Sequence, residues 1–341
     1  MKTNTPTRRS IVMSAIGTIP LLAAPAIVRA QTAPTVMKIG TPTLNDTQHE
    51  WMKIFARLVE ASSGGRIKPE IYPASQLGSI PRMIEGTQFG SVQCFVGPPE
   101  FLSGVDSRFE ILGAPGLFAD IDHADRTLRD PEFNKAFLAL GGDKGLKGVG
   151  LFISGPAIFN TRGRIDKLAD FSGQKSRVLA SPIQTEQLKR LKATAVPMPL
   201  GEVLPALQQG TIDGVMSTLQ VLAALRFYDA AKFLVETNQA MVTVVSVVSK
   251  GWFDKLPADL QTAVTEAGQM ASTEVHGWTK DFIVRQRAAW TANGGTITDI
   301  SAAEHAELMK LLRPIGAETS ARKPAEKALF ELLQKTAQAK A

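Results

Sequence analysis

Cysteine is nearly absent from this chain of 341 residues, which contains only Cys94. A single cysteine cannot form an internal disulfide, so the stability of the fold has to come from burial of a core. Cys94 lies in the apolar run 92–96, which predicts a buried strand. We interpret it as a packing residue and not as a nucleophile.

Histidine is also scarce, with His49, His123, His276 and His305 far apart in the sequence. They form no HxxxH pair, they have no cysteine partner, and the chain has no GxSxG elbow. We therefore predict no enzyme, no cofactor and no metal site. The enzymatic alternative is a catalyst that combines His49 with a carboxylate in a cleft.

Two further motifs resemble a phosphate-binding loop and a calcium-binding loop but lack residues that those sites need. The glycine-rich run 141–150 lacks a GKS or GKT ending and precedes a strand, so it predicts a loop and not a phosphate cradle. Asp120, Asp122 and Asp125 begin like a calcium loop, but the sixth position is Asp125 where glycine is needed, and the twelfth is Pro131 where glutamate is needed. Helix capping and solvation explain these acids better.

The first thirty residues differ from the rest of the chain. Arg8 and Arg9 precede a short apolar run over 16–27, and small residues end the segment at Ala30. This pattern predicts a secretory signal peptide of the twin-arginine type, cleaved after Ala30. The alternative of a membrane anchor is disfavoured because a span needs about 20 apolar residues.

Charge gives little support for a nucleic-acid partner. Removing the four cations of the first thirty residues lowers the formal net charge from +6 to +2, so much of the basic character belongs to the export signal. The composition, 44% hydrophobic and 21% charged, is that of a globular protein.

Strands alternate with helices along most of the chain. Apolar patterns predict strands at 37–41, 67–72 and 91–96 with helices between them, which indicates an α/β sheet whose ligand groups lie at the loop ends of the strands. A β-branched run at 241–249 predicts a strand buried on both faces. The helical pattern at 258–292 would reach on the order of 50 Å, more than a single small domain needs.

The segment 168–216 has the pattern of a ligand-binding unit. Its short strand Lys175-Ser-Arg-Val178 carries Arg177, whose planar guanidinium matches both oxygens of a carboxylate. The sequence therefore suggests an organic acid as ligand. A structural salt bridge from Arg177 to Asp170 or Asp213 is the alternative.

Five motifs follow one another along the chain: Tyr72-Pro-Ala-Ser-Gln-Leu-Gly78, Asp170-Phe-Ser-Gly-Gln-Lys-Ser-Arg-Val178, Pro197-Met-Pro199, Glu202-Val-Leu-Pro-Ala-Leu-Gln-Gln-Gly-Thr-Ile-Asp-Gly214 and Phe227-Tyr-Asp-Ala-Ala-Lys-Phe233. In this order, they resemble motifs of the solute-binding proteins of TRAP transporters, the DctP-like family of periplasmic receptors. The resemblance extends from about Lys38 to about Gly295.

The resemblance implies a two-lobed periplasmic solute-binding protein fold of the α/β class, with crossover hinge strands and a long helix that spans both lobes. Lobe one is then expected to hold residues 31–154 and 243–282, and lobe two residues 155–242 and 283–341. The implied function is a receptor that closes around a small organic acid and delivers it to the integral membrane permease subunits of a TRAP transporter. A receptor of an ABC importer is the alternative within the same class.

The resemblance also implies that Arg177 is the carboxylate-binding arginine. Sugar-acid receptors of the family have a second arginine where this chain has Gly155-Pro-Ala157, and often an asparagine where it has Ser217. The loss of these donors, together with apolar Leu200, Met216, Pro98 and Phe118 nearby, favours a less polar monocarboxylate. The predicted ligand-binding residues are Arg177, Ser217, Ala157, Leu200, Met216, Thr41, Asn45, His49, Gln76, Gln93, Gly97, Pro98 and Thr243. Thr43, in the loop after the first strand, is a further candidate.

Overall fold

The computed structural model describes Met1 and residues 33–341. The predicted export signal, including Arg8, Arg9 and the cleavage after Ala30, lies outside these residues and stays a prediction. The strands of the described part are β1 (Thr35–Gly40), β2 (Ile67–Tyr72), β3 (Cys94–Gly97), β4 (Leu146–Pro156), β5 (Ile158–Thr161), β6 (Lys175–Val178), β7 (Thr194–Pro197), β8 (Gly214–Ser217), β9 (Phe233–Glu236), β10 (Met241–Ser249) and β11 (Thr296–Asp299).

The helices of the same residues alternate with these strands and end in a helical C-terminal segment. They are α1 (Thr47–Ser62), α2 (Ile80–Phe89), α3 (Ile121–Leu128), α4 (Pro131–Leu138), α5 (Pro182–Arg190), α6 (Leu200–Gln209), α7 (Leu219–Ala224), α8 (Lys250–Phe253), α9 (Ala258–Ala292), α10 (Ala302–Leu312), α11 (Pro314–Ser320) and α12 (Pro324–Lys340). None of these helices combines the length and the apolar character needed to cross a membrane.

The first sheet has the strand order β2-β1-β3-β10-β4. Strand β1 runs parallel to β2 and β3, whereas β10 is antiparallel to β3 and β4. Helix α1 buries its apolar face in this lobe, where Trp51 stacks on Phe55 and on Phe152 of β4 at centroid distances of 4.6 and 5.4 Å. Burial of large aromatic side chains stabilises the packing of a helix on a sheet.

The second sheet has the order β11-β9-β5-β8-β6-β7. Its strands β7, β6 and β8 are parallel, and β5 is antiparallel to β8 and β9. A separate apolar cluster packs on this sheet and includes Val203, Leu222 and Trp290. The sheets therefore form the frameworks of two lobes, as predicted.

The chain crosses between the sheets twice. Strand β4 of the first sheet leads directly into β5 of the second, and β9 of the second leads back into β10 of the first. The two crossovers are joined where the Ala157 N–H donates to the Ala240 oxygen at 2.9 Å. The crossover strands of the predicted fold are confirmed.

Helix α9 contacts both lobes along its 35 residues. Near its middle, Ser272 accepts a hydrogen bond from Trp51 Nε1 at 3.1 Å in the first lobe. In its last turn, Trp290 packs edge-on against Tyr228 of the second lobe, with ring centroids 5.6 Å apart. The long helix predicted over 258–292 is confirmed, together with its position across both lobes.

The last helix departs from the sequence-based division of the lobes. Residues 283–341 were assigned to lobe two, but α12 packs on α3 and α4, which belong to the predicted lobe one. His123 Nε2 lies 2.8 Å from the Ala337 oxygen, and Lys340 forms an ion pair with Asp130 at 3.2 Å. The apolar stripe of α12 is visible in the sequence, but a stripe alone does not specify the surface that receives it. The other boundaries of the division stay predictions.

Candidate ligand-binding site

A cavity of about 40 Å³ lies at the carboxyl ends of strands from both sheets. Each lining side chain is buried or half-buried. The lining residues are Pro42, Thr43, Gln48, Pro98, Phe101, Ser154, Arg177, Leu179, Gln184, Leu200, Met216, Ser217, Thr218, Val221 and Val242.

The topology of the sheets explains why these residues meet. Pro42 and Thr43 follow β1, Pro98 follows β3, and Leu179 follows β6. Loops at the carboxyl ends of parallel strands gather at one edge of a sheet, which is where α/β proteins bind ligands. Here the edges of two sheets enclose one cavity.

Of the residues that the structure describes, Arg177 is the one charged residue that lines this cavity. It lies on β6 between Val196 of β7 and Val215 of β8, and 2% of it is exposed. Its Nε donates to the main-chain oxygen of Met198 at 3.1 Å. This bond fixes the orientation of the guanidinium while leaving its terminal nitrogens available.

The salt-bridge alternative for Arg177 is not supported by the structure. Among the described residues, Arg177 has no carboxylate within 4 Å. Asp170 instead accepts hydrogen bonds from the main-chain nitrogens of Asp166 and Lys167, and Asp213 accepts one from that of Lys175. Arg177 is therefore a buried cation without a protein counter-ion in the described part of the chain.

Burial lowers the pKa of Arg177 to about 10, because desolvation penalises the charged form. The side chain nevertheless keeps its proton at neutral pH. An uncompensated buried charge costs several kcal/mol, and an anion that forms hydrogen bonds with it offsets that penalty. The electrostatics of the cavity thus favour one anionic group.

Three polar side chains lie on other parts of the wall. Gln48 accepts a hydrogen bond from the Thr41 hydroxyl at 3.1 Å, and Thr41 Oγ1 lies 3.4 Å from Thr43 Oγ1. Gln184 accepts from the Leu179 N–H at 2.9 Å, which leaves the amide nitrogen as its remaining donor. Both glutamines are thereby held in fixed orientations.

Two lining hydroxyls have no partner at all among the described residues. Ser154 Oγ and Thr218 Oγ1 are buried without a hydrogen bond, and each residue is 1% exposed. Buried polar groups in proteins are nearly always hydrogen-bonded, so such exceptions require an explanation.

The structure brings five of the predicted ligand-binding residues together at this cavity: Arg177, Ser217, Leu200, Met216 and Pro98. Four of these come from the second lobe, where the motif around Arg177 was the strongest signal in the sequence. Their contact with a ligand stays a prediction.

Three predicted residues of the first lobe lie beside the cavity and not on its wall. Thr41 is fully buried behind it and supports Gln48 through its hydroxyl. Asn45 and His49 lie on the outer side of the α1 N-terminus, where the Asn45 N–H donates to His49 Nδ1 at 3.2 Å. Helix geometry explains the error, because adjacent helical residues point in different directions and Gln48 takes the inward position.

Gln93 is a clear correction. Its side chain accepts from Lys38 N at 2.9 Å and donates to the Gly90 oxygen at 2.8 Å, at the amino end of β3. That is the end of the strand opposite to the cavity. Gln76, also predicted, is exposed in the turn after β2.

Gly97, Ala157 and Thr243 were also predicted to bind the ligand, but they do not line the cavity. Gly97 packs against the Phe95 ring, Ala157 is buried in the crossover, and the buried Thr243 does not line the cavity. Their neighbours Pro98 and Val242 do line it. Successive residues of a strand face opposite sides, so an error of one position moves the expected group off the wall. Phe118, expected nearby, packs on His123 instead.

Several lining residues were not among the predicted ligand-binding residues. Gln184 follows Arg177 by seven positions on the next helix, and the apolar run at 221–225 could have indicated Val221. Nothing in the sequence marks Phe101 or Ser154 as a residue that lines the cavity. The missed residues are Pro42, Gln48, Phe101, Ser154, Leu179, Gln184, Thr218, Val221 and Val242. Thr43, which was named from the sequence as a further candidate, does line the cavity.

Two α/β lobes, joined by crossover strands and closed around a cavity with one unpaired cation, define a lobed solute receptor. Comparison with known proteins specifies the family. The model of the DctP family, described as "Bacterial extracellular solute-binding protein, family 7", matches residues 40–323, and the chain belongs to this family. It is a solute receptor of the TRAP transporter type, as predicted, which sets aside the ABC alternative.

Individual relatives agree with this assignment. The chain is 30% identical to the 2,3-diketo-L-gulonate-binding periplasmic protein YiaO of Escherichia coli, over 66% of this chain and 69% of the relative. It is 26% identical to the C4-dicarboxylate-binding periplasmic protein DctP of Rhodobacter capsulatus, over 88% and 90%. A crystal structure of a TRAP periplasmic solute-binding protein from Desulfovibrio salexigens with bound orotic acid has a TM-score of 0.85 and 27% identity, over 90% and 99% of the chains.

Proposed function

We propose that this protein is a periplasmic receptor that closes around one small monocarboxylate, releases it chemically unchanged, and delivers it to the membrane subunits of a TRAP permease. The acid binds in the cavity between the lobes. Arg177 holds the carboxylate, and the apolar wall around Leu200, Met216 and Val221 contacts the rest of the ligand.

The observation that carries this proposal is the unpaired, buried guanidinium of Arg177. Arginine binds a carboxylate through two parallel N–H···O bonds, and such charge-assisted bonds are roughly twice as strong as neutral ones. A structural arginine at this depth would be expected to have a protein counter-ion. The bond from Nε to Met198 points to a group held ready for a ligand.

The charge of the wall supports a monocarboxylate. The relatives described above bind acids with more polar groups, such as a diketo sugar acid and C4-dicarboxylates. Among the described residues, Arg177 is the single cation that lines this cavity. The resemblance to the family implies that Gly155 to Ala157 stand where sugar-acid receptors have a second arginine. A second carboxylate would remain unpaired in a buried site and would weaken binding.

The position of the cavity between the lobes supports a closing motion. Ser154 and Val242 of the crossover strands line the cavity, between wall residues from the two lobes. A ligand in such a site contacts both lobes, and these contacts stabilise the closed form relative to the open form. The permease can then distinguish a loaded receptor by its shape.

Calorimetry on paired arginine variants tests the proposal. The wild-type protein is screened against monocarboxylates, dicarboxylates and uronic acids, and the best acid is titrated into Arg177→Ala. Loss of one partner of a buried charge pair costs about 2–5 kcal/mol, so affinity should fall by tens to thousands of times. Arg190→Ala is the control, since Arg190 forms ion pairs with Glu186 and Glu318 away from the cavity.

Three results would contradict the proposal: normal affinity in Arg177→Ala, equal loss in Arg190→Ala, or recovery of a chemically altered acid after incubation. Tight binding of succinate or a uronic acid would refute the monocarboxylate part alone.

A further inference from the structure

The crossover strand β4 contains an irregularity at Ser154. Strand β10 pairs Val242 with Gly155 and Thr243 with Ile153, so Ser154 has no partner residue on β10. This is a β-bulge, a feature that redirects a side chain and that is common next to binding sites. Here the extra residue is one of those that line the cavity, and its hydroxyl is buried without a partner in the described part of the chain.

Thr218 is unusual in a different way. It immediately precedes α7, in the position where threonine normally accepts a hydrogen bond from the first turn of a helix, yet its side chain makes no such bond. Its hydroxyl is buried and has no partner in the described part of the chain. The Thr218 hydroxyl can therefore form a hydrogen bond with a ligand that enters the cavity.

Gln220 connects the two positions. It is fully buried in the first turn of α7, and its side-chain nitrogen donates to the main-chain oxygen of Ser154. This bond ties the bulge in β4 to the segment that carries Thr218. Two otherwise unrelated hydroxyls thus belong to one connected part of the wall.

We propose that Ser154 and Thr218 form a second polar contact for the ligand, and that the ligand is a monocarboxylate with one further oxygen, a hydroxyl or a carbonyl, on an otherwise apolar body. This inference rests on the proposed function, because it takes Arg177 as the partner of the carboxylate. A serine or threonine hydroxyl both donates and accepts, so either kind of oxygen satisfies it. An acid without that oxygen leaves both buried hydroxyls unpaired, which is unfavourable.

Two matched series of acids test the inference by calorimetry: isocaproate, hydroxyisocaproate and ketoisocaproate, and phenylpropionate, phenyllactate and phenylpyruvate. In at least one series, an oxygenated acid should bind the wild-type protein about tenfold more tightly than the plain acid. Ser154→Ala and Thr218→Val should each reduce this preference, and the double variant should bring it to within about twofold. Affinity for the plain acid should not fall and should rise where removal of a hydroxyl also removes the cost of leaving it unpaired.

Thr243→Val is the matched control, because Thr243 also has a buried hydroxyl without a partner among the described residues but does not line the cavity. Its preference should equal that of the wild type. Equal binding of plain and oxygenated acids by the wild type would overturn the inference and leave the proposed monocarboxylate receptor intact. A preference that survives in the double variant would also overturn it. If none of the six acids binds, the proposed ligand class fails, and the inference fails with it.

Discussion

Arg177 donates from Nε to the main-chain oxygen of Met198 at 3.1 Å, and it makes no ion pair with any described residue. Met198 follows β7, the neighbour of the strand that carries Arg177. The bond orients the guanidinium at the wall of the cavity. A buried charge without a counter-ion lowers the free energy of unfolding of the empty protein.

Replacement of Arg177 by methionine should therefore make the empty protein more stable. Burial lowers the pKa of Arg177 from its ordinary value to about 10, which corresponds to a penalty of roughly 3 kcal/mol for the charged form. Methionine fills much of the same space without a charge. We expect a higher Tm for the empty variant in differential scanning calorimetry, together with loss of acid binding. A lower Tm would show that Arg177 has a structural role.

Adjacent residues at the start of α1 should respond differently to substitution. Gln48 lines the cavity, whereas His49 lies outside it and accepts from the Asn45 N–H. Gln48→Ala should weaken binding of the acid by about tenfold through loss of a polar contact, and His49→Ala should change it by less than about twofold. Titration calorimetry on both variants measures this difference. A larger effect of His49→Ala would restore the original sequence-based assignment.

Two glycines of α9 provide a test of how the helix packs across the lobes. A Cβ at Gly268 would lie 2.2 Å from the main-chain oxygen of Val149 in β4, whereas a Cβ at Gly277 would meet nothing within 4 Å. Gly268→Ala should destabilise the protein by about 3 kcal/mol or more, since backbone atoms cannot yield easily. Gly277→Ala should stabilise it by about 0.5–1 kcal/mol. Urea unfolding measures both, and similar values for the two variants would contradict this packing.

The stability of the fold should fall as pH rises from 5 to 8. Burial raises the pKa of Glu100 from its ordinary 4.5 to about 8, and the nearby Glu110 adds to the rise. The folded protein therefore binds a proton that the unfolded chain releases, so this contribution is fully present below about pH 4.5 and is lost as pH rises through about 8.

Glu100→Gln should flatten this dependence of Tm on pH, because the amide stays neutral throughout. Glu85→Gln, on the exposed side of α2, is the control and should retain the wild-type slope. Parallel slopes in the wild type and Glu100→Gln would show that another group controls the effect.

Local patterns specified much of the fold. The helix at 258–292 and the strand at 241–249 have the predicted bounds, because long periodic or β-branched runs leave few alternatives. The placement of α12 on α3 and α4 depends on which surface remains open after the sheets form. No local pattern contains that information.

The candidate site was predictable only in part, because the position of a side chain on the cavity wall also depends on tertiary structure. Arg177 was identifiable from its motif, whereas Gln93 lies at the end of β3 opposite to the cavity and Thr243 is one position from the wall residue Val242. Ser154 reaches the cavity through a bulge, which depends on the register between β4 and β10. Register is a tertiary property that a single sequence does not reveal.

The export prediction concerns residues outside the described part of the chain. The twin-arginine route reads both guanidinium groups as an address, so Arg8→Lys combined with Arg9→Lys should leave unprocessed precursor in the cytoplasm although the charge is conserved. Immunoblots of cytoplasmic and periplasmic fractions measure this. Normal periplasmic accumulation of the double variant would indicate the general secretory route.

The central claim is that Arg177 holds the carboxylate of a small acid between the lobes, and a crystal structure with the tightest-binding acid tests it most directly. Both carboxylate oxygens should lie within about 3.2 Å of the Arg177 guanidinium nitrogens, with the apolar part of the acid against Leu200 and Met216. A carboxylate bound elsewhere in the protein, with Arg177 paired to an acidic side chain, would contradict the account.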